Sequence, residues 1–423
     1  MKQPKAGYLV AAATCSIALL ASACGDGSAA PSASGHPHTT KPGPTVASAV
    51  TRAPAVPATT ASVAWQKDLG PTGPTLSRSD VPWGQVGHGW TLAIYDDTAR
   101  QPLAPLGTEA LLLVGPDGAR YEIVTWARSV GVSLSLVGWS GDGRQALVEE
   151  RSTAGTTRIL EVSLRTGSVS SYAEAGYTIG YASATTHDQL EQVASGRDAG
   201  MQLVAASGAF VTRAASGIPV LFTPGPNGTY VEELAVSGGE QLALAGASGK
   251  PQPIRAPAGL YCLAVRVFDS GRLLASCSGP LGGSSRLWLL SFDGAVPTPL
   301  SPATPHFVGL AAAGGGQPEL LDAWSAGGTV YYQVAGLTGG ARIGRQGAGD
   351  TIDVLAPQGR AGSGVSDVVL ATSGKRLEVE SFAAGAPATR LAWYDPTSGR
   401  PTDLLGATSG GFAAIPFGQM DRR

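Results

Sequence analysis

The fold class this sequence predicts is all-β: a β-propeller of seven four-stranded blades, preceded by a signal peptide and a disordered linker. Three observations predict the propeller. First, 423 residues include 59 Gly and 30 Pro, and only 14% are charged; so much Gly and Pro penalises helix interiors. The 43% hydrophobic content still supplies a core. Second, one element recurs: an apolar strand, a Gly-containing turn, then a short strand. Its marker glycines fall at Gly118, Gly167, Gly208, Gly249, Gly294, Gly340 and Gly399, and intervals of about 40–50 residues are those of propeller blades. Third, a second turn precedes five of the seven markers by 21 to 25 residues, at Gly143, Gly228, Gly271, Gly316 and Gly374. In the other two repeats only Asp96-Asp97 and Thr185-Thr186-His187 occupy the expected place. Two tandem β-sandwiches are the alternative, and the regular spacing disfavours them.

Residues 1–23 read as an export signal. Lys2 and Lys5 precede an apolar run from about Tyr8 to Ala23, which falls short of the roughly 20 residues that span a bilayer comfortably. Leu20-Ala21-Ser22-Ala23 then ends at Cys24. This resembles the bacterial lipobox, with Ala21 where most lipoboxes carry Leu. The resemblance implies lipid attachment at Cys24 and a protein anchored to the outer face of the bacterial cell membrane; the alternative is ordinary cleavage beside an incidental Cys.

Residues 24–64 read as a linker of Ala, Ser, Thr and Pro with no hydrophobic periodicity. Forty flexible residues span on the order of 35 Å root-mean-square. His36 and His38 sit in this tract without further ligands. The propeller is expected to occupy residues 65–423, with 30 acidic against 25 basic side chains. That balance excludes a nucleic-acid surface or a basic membrane-binding face.

Within the body, the clearest repeats run Leu160–Gly167, Leu287–Gly294 and Leu391–Gly399. The segment Leu136-Val137-Gly138-Trp139-Ser140-Gly141-Asp142-Gly143-Arg144 resembles the W-S-x-D-G-[KR] turn of TolB-type, WD40-like propeller repeats. The resemblance implies an extracytoplasmic, non-catalytic protein that binds partners through a propeller face. Gly89–Ile94 and Phe412–Phe417 are the candidates for closing the ring by strand exchange between the two ends of the body.

With Cys15 in the signal and Cys24 lipidated, Cys262 and Cys277 remain in an oxidising compartment. The turn at Asp269-Ser270 lies midway between them, so a regular hairpin sets them opposite each other and predicts a disulfide.

Catalytic motifs are sparse. Gly138-Trp139-Ser140 is no nucleophile elbow, because Asp142 stands where the second Gly belongs. There is no zinc-protease motif, phosphate loop or calcium loop. His88, His187 and His306 are scattered, His187-Asp188 reads as a solvated turn, and Asp350 with Asp353 as a strand start. Trp83, Trp90 and Tyr95 are candidates for a binding mouth or for inter-blade packing. Asn227-Gly228-Thr229 reads as a turn. No catalytic residue, metal or cofactor is expected, and the chain is expected to be monomeric. The preferred expectation is a non-enzymatic envelope lipoprotein whose propeller binds a protein or glycan. The alternatives are an extracytoplasmic hydrolase or lyase with carboxylates on the propeller axis, and a structural domain.

Overall fold

Strand–turn–strand units stack into seven sheets of four or five strands, arranged as a β-propeller. The structure, a computed structural model, describes residues 53–56, 69 and most of 75–417; the longest breaks are 98–106, 214–221, 310–317 and 356–364. All of these belong to one unit, Val50–Asp421. The signal, Cys24, His36 and His38 lie outside the described residues.

The chain enters the ring through strands Thr91–Asp96, Thr108–Val114 and Arg120–Ala127, which form sheet 1 with the C-terminal strand Gly411–Pro416. Sheets 2 to 7 follow in sequence order, within 132–173, 177–213, 222–253, 261–299, 319–355 and 365–406. Three outer edges gain a fifth strand. Thr75–Ser77 runs parallel on sheet 1 and His306–Val308 parallel on sheet 6. Ala53–Val56 pairs antiparallel with Val169–Ala173 of sheet 2. That last strand lies in the stretch read as unstructured; an outer edge with free N–H and C=O groups is a ready template for it.

Packing between sheets explains a run that alternation does not. Ala110 to Val114 are all buried. Because strand side chains alternate, Ala110, Leu112 and Val114 join a cluster with sheet 7, including Leu391 and Trp393. Leu111 and Leu113 join a cluster with sheet 2, including Val148 and Leu160. Each fully buried Leu contributes roughly 1.5–3 kcal/mol. Corresponding clusters join sheets 4 and 5, 5 and 6, and 6 and 7.

The ring closes as its ends suggested. Thr91–Asp96 and Gly411–Pro416 pair antiparallel over six residues, from Thr91↔Pro416 to Asp96↔Gly411. Borrowing the inner strand from the C-terminus also explains why Asp96-Asp97 is not the inner turn of sheet 1: it follows the second strand. In sheet 6 the spacing misleads. Gly340 lies between the second and third strands, the outer turn carries Gly349, and the inner turn is Gly327-Gly328. Gly314–Gly316 lie outside the described residues.

Cys262 and Cys277 form the disulfide and pair directly across the first two strands of sheet 5. The hairpin is not regular, however. Its turn is Ser270-Gly271, with Asp269 opposite Arg272, and two register shifts bring Cys262 back opposite Cys277.

Candidate functional site

Between sheets 2 and 3 the packing changes character. Among the described residues the apolar cluster there holds Val137, Leu147, Ile159, Tyr172 and Tyr181. Alternation places Leu147 and Glu149, and likewise Ile159 and Glu161, on the face of sheet 2 that meets sheet 3. Sheet 3 answers with Thr178, Gln189, Glu191 and Gln202, all buried.

Several of these groups are hydrogen-bonded or paired, as most buried polar groups are. The Tyr172 hydroxyl donates to Gln189 Oε1 across the seam. The Gln202 amide donates to Glu191 Oε2 at 3.0 Å. Arg151 pairs with Glu149. Burial pushes the Glu191 carboxyl above its usual range, against the hydrogen bonds from Gln202 and Thr178. Burial also holds the Tyr181 hydroxyl proton far beyond its ordinary value, and the Glu161 carboxylate beside it adds to the effect.

At the rim, where the inner turns emerge, the seam ends in a solvent-reachable acid–base pair. The turn at 140–143 places Gly143 at φ 68°, a conformation glycine adopts without Cβ strain. Ser140 fixes this turn: its hydroxyl donates to Asp142 Oδ1 at 2.6 Å and accepts from the Arg144 and Gln145 amides at 3.1 and 2.9 Å. The other oxygen, Asp142 Oδ2, lies 3.1 Å from His187 Nε2. His187 stands in the corresponding turn of sheet 3 and has φ 56°, the one positive value among described non-glycine residues. Such a conformation is uncommon outside Gly, Asn, Asp and His, and it persists only where surroundings enforce it. Tyr181 meets the imidazole edge-on, with ring centroids 6.1 Å apart.

The electrostatics favour a fixed imidazole. Burial tends to raise the Asp142 carboxyl, but Ser140, the Arg144 amide and His187 outweigh it and leave it below its usual range. An ionised Asp142 requires a proton on His187 Nε2, which leaves Nδ1 as the basic nitrogen. The imidazole is one-fifth exposed, and Arg144, 3.5 Å from Asp142, is mostly exposed. An apolar wall adjoins the turn: a Cβ at Gly143 would lie 3.5 Å from Phe417 and 3.6 Å from Val86.

The sequence reading took His187-Asp188 for a solvated turn and expected no catalytic residue; in the structure Asp142, 45 residues upstream, pairs with His187. The usable signal was the W-S-x-D-G-R turn itself. Trp90 and Tyr95 are core residues and Trp83 is partly buried beneath Arg165, so the three do not form a mouth. Asp353 pairs with Arg345 at 2.9 Å, and Asp350 sits in the outer turn of sheet 6. On the inner strands Asp322 is held by Arg266 at 2.8 Å, and Asp367 accepts from Ser381 at 2.7 Å. These axial carboxylates are bound into links within and between sheets rather than presented as a site. Among the described residues no group of three or more His, Cys, Asp or Glu is placed to hold a metal, and no helix is long and apolar enough to cross a membrane.

No protein-family model matches the chain, and no curated protein does. Among solved structures it is similar to a prolyl endopeptidase, with 8% identity and a TM-score of 0.52 over 82% of this chain and 54% of that one. It is also similar to the β-propeller domain of the Trilobed protease from Pyrococcus furiosus, with 12% identity and a TM-score of 0.45 over 72% and 88% of the two chains. Oligopeptidase B from Leishmania major gives 9% identity and a TM-score of 0.49 over 81% and 52%. The chain thus spans about half of the prolyl endopeptidase and of oligopeptidase B. At such identities the likeness is one of fold. The neighbour with a TM-score above 0.5 is a prolyl endopeptidase rather than a TolB-type protein, and it stands against the expectation of a non-enzymatic binding scaffold.

Proposed function

We propose that this protein is a hydrolase-related propeller, with seven blades, whose acid–base pair is His187 held by Asp142 at the rim between blades 2 and 3. The 3.1 Å contact between His187 Nε2 and Asp142 Oδ2 carries the reading. Asp142 fixes the tautomer, so that Nδ1 takes a proton from water as the water adds to an acyl carbon. The same nitrogen returns that proton to the leaving group, the two-step use of one imidazole in general acid–base catalysis. Ser140 is committed to its turn by three hydrogen bonds, which assigns the nucleophile to water. Arg144, mostly exposed and 3.5 Å from Asp142, supplies the nearby positive charge for the acyl oxygen in this reading. The endopeptidase likeness supports the hydrolytic class without naming a substrate. The lipobox at Cys24 supports an anchored protein acting outside the cell membrane.

The test is turnover of nitrophenyl esters, lactones and aminocoumarin peptides by the purified chain and by His187→Ala. General acid–base catalysis is worth about 10²–10⁴-fold, so that loss is expected in the variant. Equal rates for both proteins on every class would remove the reading.

A further inference from the structure

The seam between sheets 7 and 1 is where the ring is shut, and it holds a buried carboxyl that no catalytic proposal uses. Glu378, on the second strand of sheet 7, is fully buried. Across the seam the Thr91 hydroxyl donates to its Oε1. Thr91 is the residue of the closing strand that pairs with Pro416. Among the described residues the second oxygen, Oε2, has no partner, and neither does Nε1 of Trp393, which is directly opposite Glu378 in the neighbouring strand. The surroundings suit a neutral acid and oppose an anion.

We propose that Glu378 and Thr91 form a proton-dependent latch on ring closure, tight while Glu378 holds its proton and looser as the open form gives that proton up.

The groups around Glu378 leave burial as the governing influence. On its own strand Arg376 lies over the Trp393 ring at 5.0 Å, and Glu380 stands two residues further on. Ala371 and Trp393 are opposite it in the flanking strands. Sheet 1 presents Thr91; its titratable residues on that side are Tyr95 on the same strand, Arg120, which donates to the Leu69 carbonyl at 3.2 Å, Glu122 opposite Leu112, and Asp117 in the turn. None of these charges moves the Glu378 carboxyl. Burial pushes it up from 4.5 to about 8, with the Thr91 hydrogen bond working against that rise.

The sign follows from linkage. A carboxyl raised in the closed form binds its proton where the opened, hydrated form has lost it, so closure weakens with rising pH between about 4.5 and 8 and then levels off. From pH 5 to 7 the opening equilibrium of the seam should rise on the order of a hundredfold.

Amide hydrogen exchange on the full chain at pH 5, 7 and 9, corrected for intrinsic rates, tests this. Between pH 5 and 7, Thr91–Asp96 and Gly411–Pro416 should lose protection on the order of a hundredfold relative to the strands of sheet 5, with the change levelling off near pH 8. Glu378→Gln should abolish the pH dependence of the seam. Thr91→Val, which keeps the carboxyl, should move the end of the transition to higher pH. The latch is overturned if seam and sheet 5 change in parallel, or if either variant keeps the wild-type profile.

Discussion

Removing the Cys262–Cys277 bond asks how much sheet 5 owes to a covalent link. The perturbation is Cys262→Ala with Cys277→Ala, which leaves no stray thiol. The linked residues are 15 apart in sequence. A loop of that length loses about 3 kcal/mol of stabilisation in the chain-entropy account. Both cysteines are buried in the cluster shared by sheets 4 and 5, with Val231, Leu273 and Leu290. Losing two sulfur atoms from this cluster adds on the order of 1 kcal/mol of lost packing. The expected destabilisation is therefore about 3–4 kcal/mol. Urea unfolding followed by Trp fluorescence is the assay: Trp288 packs against this cluster, and the midpoint should fall by about 1 M or more. Reduction of the wild type should reproduce the shift. A change below about 1 kcal/mol in both experiments would refute the reasoning, because the chain-entropy term alone exceeds it.

Two further outcomes follow from buried charge. Arg266→Ala removes the guanidinium 2.8 Å from Asp322, whose side chain is 5% exposed, and so takes away its counter-charge; loss of one partner of a buried pair costs about 3–5 kcal/mol, seen as a lower thermal midpoint. Glu191 has its carboxyl raised by burial, so the folded state keeps a proton that the unfolded chain has lost, and stability falls as pH rises past the ordinary value. Glu191→Gln should therefore gain on the wild type between pH 4 and 7, and a constant difference in unfolding midpoint would contradict the assignment.

Much of the fold was legible because a propeller is periodic. Hairpin turns announce themselves through glycine, and the outer turns at Gly118, Gly167, Gly294 and Gly399 all have positive φ. The rule failed at sheet 6, where Gly340 marks the connection between the second and third strands; glycine reports a backbone conformation, not which turn of a blade adopts it. The Cys262–Cys277 pair was legible although its hairpin is irregular, since two register shifts compensate for the displaced turn. The candidate site was only half legible. The turn motif placed Ser140 and Asp142 in a propeller hairpin and His187 read as part of a solvated turn, but no local spacing joins residues 45 apart on different sheets.

By itself the sequence determined what neighbouring residues settle: strand composition, turn positions, the strand exchange between Thr91–Asp96 and Gly411–Pro416, and an all-β ring. Tertiary structure decided which faces of different sheets meet. It turned the glutamates of sheets 2 and 3 into one polar seam, tied Asp322 and Asp367 into links away from any axial site, and set Thr91 against Glu378, 287 residues on. The physical reason is the closure of the ring. Alternation tells a side chain which face of its sheet it occupies, but its environment depends on the sheet packed against that face, and closure brings the first against the last.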